Sequence, residues 1–193
     1  MKPKNMLTAM TMGRGLAAAA ALGCLLAVGS LGMLASAATA GPGDAAAPAG
    51  DDRPVIDIEH KGPIKVVFQI TTADMKEGVS KGLFYVNKLH NAYVAAGVDP
   101  DQLDIRAVFH GDGAAHLLTN EAWNRVKNES TGNPSADLIA KMTKNGVHVE
   151  LCDGRRAENG WAKSDVHPDV LLVKGAFLRV IDLQQSGYAY IRL

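Results

Sequence analysis

Ile64-Lys65-Val66-Val67-Phe68-Gln69-Ile70 is a dense run of β-branched and aromatic side chains, set off by the breaker Gly62-Pro63. A run this short, bounded by turn residues, predicts a buried strand. The spacing then changes. Val79, Leu83, Val86, Leu89, Tyr93 and Val94 recur every three or four residues, predicting an amphipathic helix between Gly78 and Gly97. Thr71, Thr72 and Asp74 are its candidate N-caps, and Gly97 suits its stop. Leu103 to Phe109 alternates and then turns apolar, a second strand that His110-Gly111-Asp112-Gly113 breaks. Short helices are predicted over 114–118 and 120–128, followed by a loop over 130–134. Pro134 and Ser135 open a helix through Lys144 with Leu138, Ile139 and Met142 on one stripe. Residues 147–151, 170–173 and 188–191 predict three further strands, with helices over 155–161 and 175–186 between them.

Short apolar strands that alternate with helices predict an α/β fold: a mostly parallel, five-stranded sheet covered on both faces. Right-handed crossovers make it a three-layer, doubly wound, flavodoxin-like sandwich. The long irregular stretch 110–134 leaves a split, mixed sheet as the alternative.

The beginning of the chain is different. Lys2, Lys4 and Arg14 are the only charges in residues 1–40, and 29 uncharged residues separate Arg14 from Asp44. A basic start, an apolar stretch over 16–34 and the A-x-A sites Ala35-Ser36-Ala37 and Ala38-Thr39-Ala40 predict a secretory signal over 1–40, cleaved after Ala40. The alternatives are an uncleaved membrane anchor, since the stretch approaches the ~20 residues that span a bilayer, and a lipoprotein acylated at Cys24, whose preceding Ala21-Leu22-Gly23 fits poorly. Residues 41–53, GPGDAAAPAGDDR, predict a flexible linker, leaving 54–193 as the folded domain. The expected location is periplasmic or otherwise exported, with no membrane contact after cleavage.

Charge then narrows the function classes. The whole chain balances 20 basic against 20 acidic residues; removing the three basic residues of 1–40 leaves a net charge of −3. Nothing suggests nucleic-acid binding, because the basic residues are scattered and no aromatic stripe accompanies them. There is no G-x-S-x-G elbow, and the glycines of His110-Gly111-Asp112-Gly113 make only half of a dinucleotide fingerprint, on the wrong strand. The processed chain keeps one cysteine, Cys152, so it can form no internal disulfide.

A parallel sheet gathers chemistry at the carboxyl ends of its strands. Here those ends carry Gln69 to Asp74, His110 to Gly113, Cys152 to Arg156 and Lys174-Gly175. Cys152 falls between a strand end and a helix start, where amides and Arg155 or Arg156 would favour a thiolate or a persulfide anion. An inert, buried cysteine is the equally simple alternative. His110 is either a partner of that thiol or a strand-end histidine serving the turn. A zinc, copper or haem site built from His110, His116 and Cys152 matches no recognised ligand spacing, and no cofactor or metal is expected.

Several segments together resemble the DsrE/DsrF-like family, the sulfur-relay fold shared with TusBCD-type proteins. Asn145-Gly146-Val147-His148-Val149-Glu150-Leu151-Cys152 is similar to the family's strand ending in cysteine. Val170 to Val173, Gly175 and the stretch from Ile181 to Ile191 are similar to its closing helix and strand, and Val108-Phe109-His110-Gly111 to its second strand end. The resemblance implies a DsrEFH-like α/β sandwich that assembles as a homo-oligomer, a trimer or hexamer. It also implies a persulfide taken up by Cys152 and passed from a donor protein to an acceptor; Arg155, Arg156 and His110 are expected to stabilise it from their place on the rim, although Asp153-Gly154-Arg155-Arg156 stands where many relatives have a small polar stretch. The reading is an exported sulfur carrier or sulfurtransferase-like protein. The alternatives are a non-catalytic oligomeric module with a structural cysteine, and a metal or haem binder.

Overall fold

Strand β1 (Ile64–Ile70) sits one place in from the edge of a five-stranded sheet, and its alternate side chains serve two different layers. Val66, Phe68 and Ile70 face one core; Val67 faces the other. The computed structural model describes residues 53–193, of which Pro54–Leu193 form one compact unit. The expected signal over 1–40, and the expected linker over 41–53 apart from Arg53, lie outside the described residues.

After β1 the chain makes a small hairpin, β2 (Met75–Lys76) and β3 (Val79–Ser80), where the expected helix would already have begun. Glu77 and Gly78, both with positive φ (51° and 82°), make its two-residue turn. Helix α1 (Lys81–Ala95) follows and packs closely on β1: a Cβ at Gly82 would lie 2.5 Å from Ile70 Cγ2. None of the candidate N-caps caps it. Thr72 instead accepts from the Asp74 amide at 3.1 Å, and Ser80 holds the N-cap position. Strand β4 (Leu103–Phe109) runs parallel to β1.

The irregular stretch proves to be a 3-10 helix, Gly111–Leu117, then helix α2 (Asn120–Lys127) and a loop. Asn133 ties that loop down from within, donating to the carbonyls of His116 and Leu118 at 2.9 and 2.6 Å. Helix α3 (Ala136–Lys144), strand β5 (His148–Cys152) and the short helix α4 (Asp153–Glu158) follow. Strand β6 (Leu171–Val173), helix α5 (Ala176–Gln185) and strand β7 (Ala189–Arg192) complete the chain.

The order is β6-β5-β4-β1-β7 and every pairing is parallel, so the mixed-sheet alternative is excluded. The chain steps steadily from β1 to β6, then crosses back to lay β7 on the far side of β1. The reversal therefore falls between β1 and β7. Helices α1 and α3 cover one face through Leu83, Val86, Ile139 and Met142. Helix α5 alone packs on the other, through Ala176, Val180 and Leu183 against Val67 and Val108. Three layers are the result, with the second face thinly covered. No helix of the described residues is long and apolar enough to cross a membrane.

Candidate functional site

Cys152 ends β5 and is also the N-cap of α4, and it is half-buried. Side chains alternate along β5, so Val149 and Leu151 enter the main core while Cys152 turns to the α5 face. It lines an open cavity of about 410 Å³ at the carboxyl edge of the sheet. His110 from the end of β4, Arg155 from α4, Lys174 after β6, and Phe177 and Leu178 from α5 share that cavity. Phe177 and Leu178 make the lining partly apolar, and the cations Arg155 and Lys174 line it together with the carboxylate Glu158. The site lies over β4, β5 and β6, away from the topological reversal that usually marks ligand crevices in open parallel sheets.

The glycines of the His110-Gly111-Asp112-Gly113 turn serve packing. A Cβ on Gly113 would stand 2.8 Å from the Thr72 carbonyl oxygen, while the Gly113 amide donates to Thr71 O at 3.0 Å. This lets the 3-10 helix seat against the end of β1 and fixes where His110 leaves the strand.

His110 does not bond the turn through its ring. Its Nε2 lies 2.8 Å from Nε2 of Gln69, whose Oε1 accepts from the Tyr190 hydroxyl on β7. The ring also stands edge-on to Phe177, with centroids 5.1 Å apart. Burial, then the cations Arg192 and Arg155, push the imidazole below its usual range, so at neutral pH it is uncharged.

The two adjacent arginines part company. Arg155 remains at the cavity, donating to the Gly111 carbonyl at 3.2 Å, with Asp112 and Glu158 each at 3.5 Å on its solvent side. Arg156, expected beside the thiol, is instead held by Asp153 at 2.6 Å and by the Trp161 carbonyl, and it does not line the cavity. The i, i+3 spacing from Asp153 on α4 captures it. Lys174 has no ion-pair partner among the described residues, and it was legible in the sequence only as a residue on the rim. Phe177 and Leu178, apolar residues of α5, are 66% and 64% exposed and line the cavity.

The metal alternative loses its geometry. His116 is buried, its Nε2 donates to the Ala73 carbonyl at 3.0 Å, and its ring stacks on Trp123 at 5.5 Å. It does not meet His110 or Cys152 in the cavity. Among the described residues no group of three or more His, Cys, Asp or Glu is arranged to hold a metal ion. A larger depression of about 690 Å³ opens at the amino-terminal edge of the sheet, near Asn91, Asp101, Lys144 and Asn145, and has no thiol or hydroxyl side chain on its lining.

Arranged this way, the cavity offers a single sulfur nucleophile, cationic groups for a small anion and a greasy wall for the carrier of that anion. Two solved structures are similar to the chain, and the first shares its fold. One is a protein of unknown function, MTH1491 from Methanobacterium thermoautotrophicum, at 20% identity and a TM-score of 0.52, covering 67% of this chain and 99% of that one. The other is the ychN protein from E. coli, at 14% identity and a TM-score of 0.47, covering 67% and 100%. No curated protein matches the chain. The model of the DsrE/DsrF-like family matches residues 65–193, which takes in all of the sheet but its first residue and every residue that lines the cavity. With this match the resemblance read from the Cys152 strand and the closing helix becomes an assignment: the chain belongs to the DsrE/DsrF-like family.

Proposed function

We propose that the protein is an exported sulfur carrier, or sulfurtransferase-like protein, in which Cys152 bears a persulfide. The observation that carries the reading is the placement of the only described cysteine, half-buried, in a cavity it shares with the cations Arg155 and Lys174, the neutral His110 and the apolar Phe177 and Leu178, Glu158 being the one carboxylate on its lining. Membership of a family of sulfur-relay type supports it. In the loading step the Cys152 thiolate attacks the outer sulfur of a donor persulfide, R–S–SH. An Sγ–S bond forms, the donor S–S bond breaks, and the proton of the outer sulfur passes to the departing donor sulfur, so the donor leaves as a thiol and Cys152 is left as a persulfide anion. An acceptor thiolate later attacks the same outer sulfur and releases Cys152 as thiolate. No external oxidant or reductant is consumed in either step. Arg155 and Lys174 supply positive charge for the persulfide anion, and His110 supplies a neutral polar group.

Intact mass spectrometry tests this. Protein exposed to a small-molecule persulfide should gain about 32 Da that dithiothreitol removes, as expected for a reversible persulfide cap, and Cys152→Ser should not. An unmodified Cys152 in reduced, folded protein would overturn the reading for that donor. Export through a cleaved signal over residues 1–40 belongs to the same proposal, and the N-terminal sequence of the secreted protein tests it.

Self-association is the second part. Helix α5 is apolar on two sides: Ala176, Val180 and Leu183 enter the core, while Phe177, Leu178 and Ile181 face outward. A helix apolar all round belongs in an interior. A second copy of the chain seated on α5 would bury this outer face, consistent with the homo-oligomer, a trimer or hexamer, that the sequence led us to expect. This face also favours the non-catalytic oligomeric module, the reading that remains if Cys152 takes no sulfur.

A further inference from the structure

We infer that Gln69 and Tyr190 are positioning residues that lock His110 in one tautomer, with the ring proton on Nδ1 and the lone pair on Nε2. Neither residue lines the cavity; both act through the histidine that does. The argument runs outward from β7. Tyr190 is joined to Gln69 by a hydrogen bond between its hydroxyl and the amide oxygen. A phenol is a better donor than acceptor, and an amide oxygen a better acceptor than a phenol, so the hydroxyl donates and fixes which end of the amide is oxygen. The amide nitrogen then faces His110 Nε2 at 2.8 Å. That nitrogen only donates, so Nε2 must accept, and the single proton of a neutral imidazole lies on Nδ1.

The register makes this possible. Gln69 stands opposite Arg192 on β7 and Val108 on β4, so Tyr190 approaches it from one side and His110 from the other, all on the α5 face. Gln69 is 7% exposed, and no other side chain shares its amide hydrogen bonds. A buried glutamine with both ends engaged has one low-energy orientation, because turning it over sets donor against donor at the locked neighbour.

The consequence for sulfur chemistry rests on the proposed role of Cys152; the tautomer itself does not. With Nε2 occupied, Nδ1–H is the only polar ring atom left to offer. His110 is then a neutral donor toward a thiolate or persulfide and cannot take the thiol's proton through Nε2. Charged and titratable groups that bear on the ring or share its cavity are Arg155 and Glu158 of α4, Arg192 and Tyr190 of β7, Lys174 after β6, and Cys152 of β5.

Long-range 1H–15N correlation on protein labelled at histidine reads the tautomer directly, with His110→Asn identifying the signal. Above pH 7.5 the wild type should show the Nδ1–H pattern for His110. Gln69→Glu should reverse it, because a carboxylate can only accept and demands Nε2–H. The same change should raise the titration midpoint of His110 by about one pH unit or more, as an adjacent opposite charge does. Tyr190→Phe, at a 40% exposed position that should still fold, should give a mixture of tautomers. An Nε2–H pattern in the wild type, or a pure Nδ1–H pattern retained in Tyr190→Phe, would overturn the inference. Neither readout involves sulfur, so a failure of persulfide loading leaves the tautomer result standing, and the reverse also holds.

Discussion

Arg179 on α5 grips Glu150 on β5 with two parallel hydrogen bonds, Nε to Oε2 at 2.8 Å and Nη2 to Oε1 at 2.9 Å. The Glu150 side chain is 1% exposed, in the middle of the sheet, and Arg106 adds a second cation at 3.6 Å. A fork of this kind fixes both distance and orientation, so it holds α5, the only helix on this face among the described residues, above the Cys152 cavity. Arg179→Met leaves a buried carboxylate short of a partner and should cost about 3–5 kcal/mol in urea unfolding. Combining it with Glu150→Leu removes the stranded charge and should recover more than half of that loss. Recovery of none would mean that the pair does not act as a unit.

The separation of Arg155 from Arg156 gives opposite expectations for neighbouring residues. Arg155→Ala should slow the reaction of Cys152 with an anionic disulfide reagent by about threefold relative to neutral iodoacetamide, a modest factor because the guanidinium is partly solvated. Arg156→Ala should leave that ratio unchanged. It should instead lower the thermal midpoint by a few degrees, roughly what ~1 kcal/mol does in a domain of this size, because it frees Asp153 and the Trp161 carbonyl. Comparing the reagent pair on both variants decides the matter.

Three histidines set an acid limit on stability. Burial is the main cause holding His110, His116 and His148 below their usual range; nearby cations add to it, Arg192 at His110, Lys127 at His116 and Arg106 at His148. The unfolded chain binds their protons near pH 6.5, the folded chain only at lower pH. The unfolded state therefore binds more protons in that window, and stability falls as pH drops through 6.5 toward the lower folded values. Asp74, Asp104, Asp153 and Asp165 are held below the usual carboxylate range by their hydrogen-bond partners, so their stabilisation is lost only in more acid solution, below about pH 4. Thermal midpoints measured from pH 8 to 5 should decline below 6.5, and His116→Gln, which can still donate to Ala73, should flatten the decline.

Ile181 separates assembly from the cavity. It is 54% exposed and stands on the outer face of α5 without lining the site. Ile181→Lys should change folding stability by no more than about 0.5 kcal/mol, as surface substitutions do. Sedimentation velocity should nevertheless show a shift to the monomer. An unchanged assembly would place the contact between copies elsewhere.

The five strands were legible because β-branched runs between breakers carry their own evidence, and the meeting of His110 with Cys152 followed from parallel strands sharing one carboxyl edge. The hairpin at 75–80 was not legible. Two-residue strands of Met-Lys and Val-Ser have no period to detect, and Val79 happened to fall in phase with the helix beyond. Glu150 was invisible for a different reason. Alternation along His148-Val149-Glu150-Leu151-Cys152 marks it as the polar face of a strand, and only the three-dimensional approach of Arg179, 29 residues later, turns that face into an interior. The link from Tyr190 to Gln69 spans 121 residues and depends on β7 crossing back to β1. Strand order of this kind is a property of the assembled sheet.

The late position of β7 also has a consequence for biosynthesis. Strands β1, β4, β5 and β6 can dock in the order in which the ribosome delivers them, each beside the one before it. Strand β7 must instead find a place beside β1, and its residues emerge last. Until they arrive, Gln69 lacks Tyr190 and β1 presents an open edge, the kind of template on which nascent chains pair wrongly. Docking of β7, fastening of the sheet and ordering of the histidine above the thiol are therefore a single event, so a chain deprived of β7 would keep its cysteine and lose the setting that disciplines it.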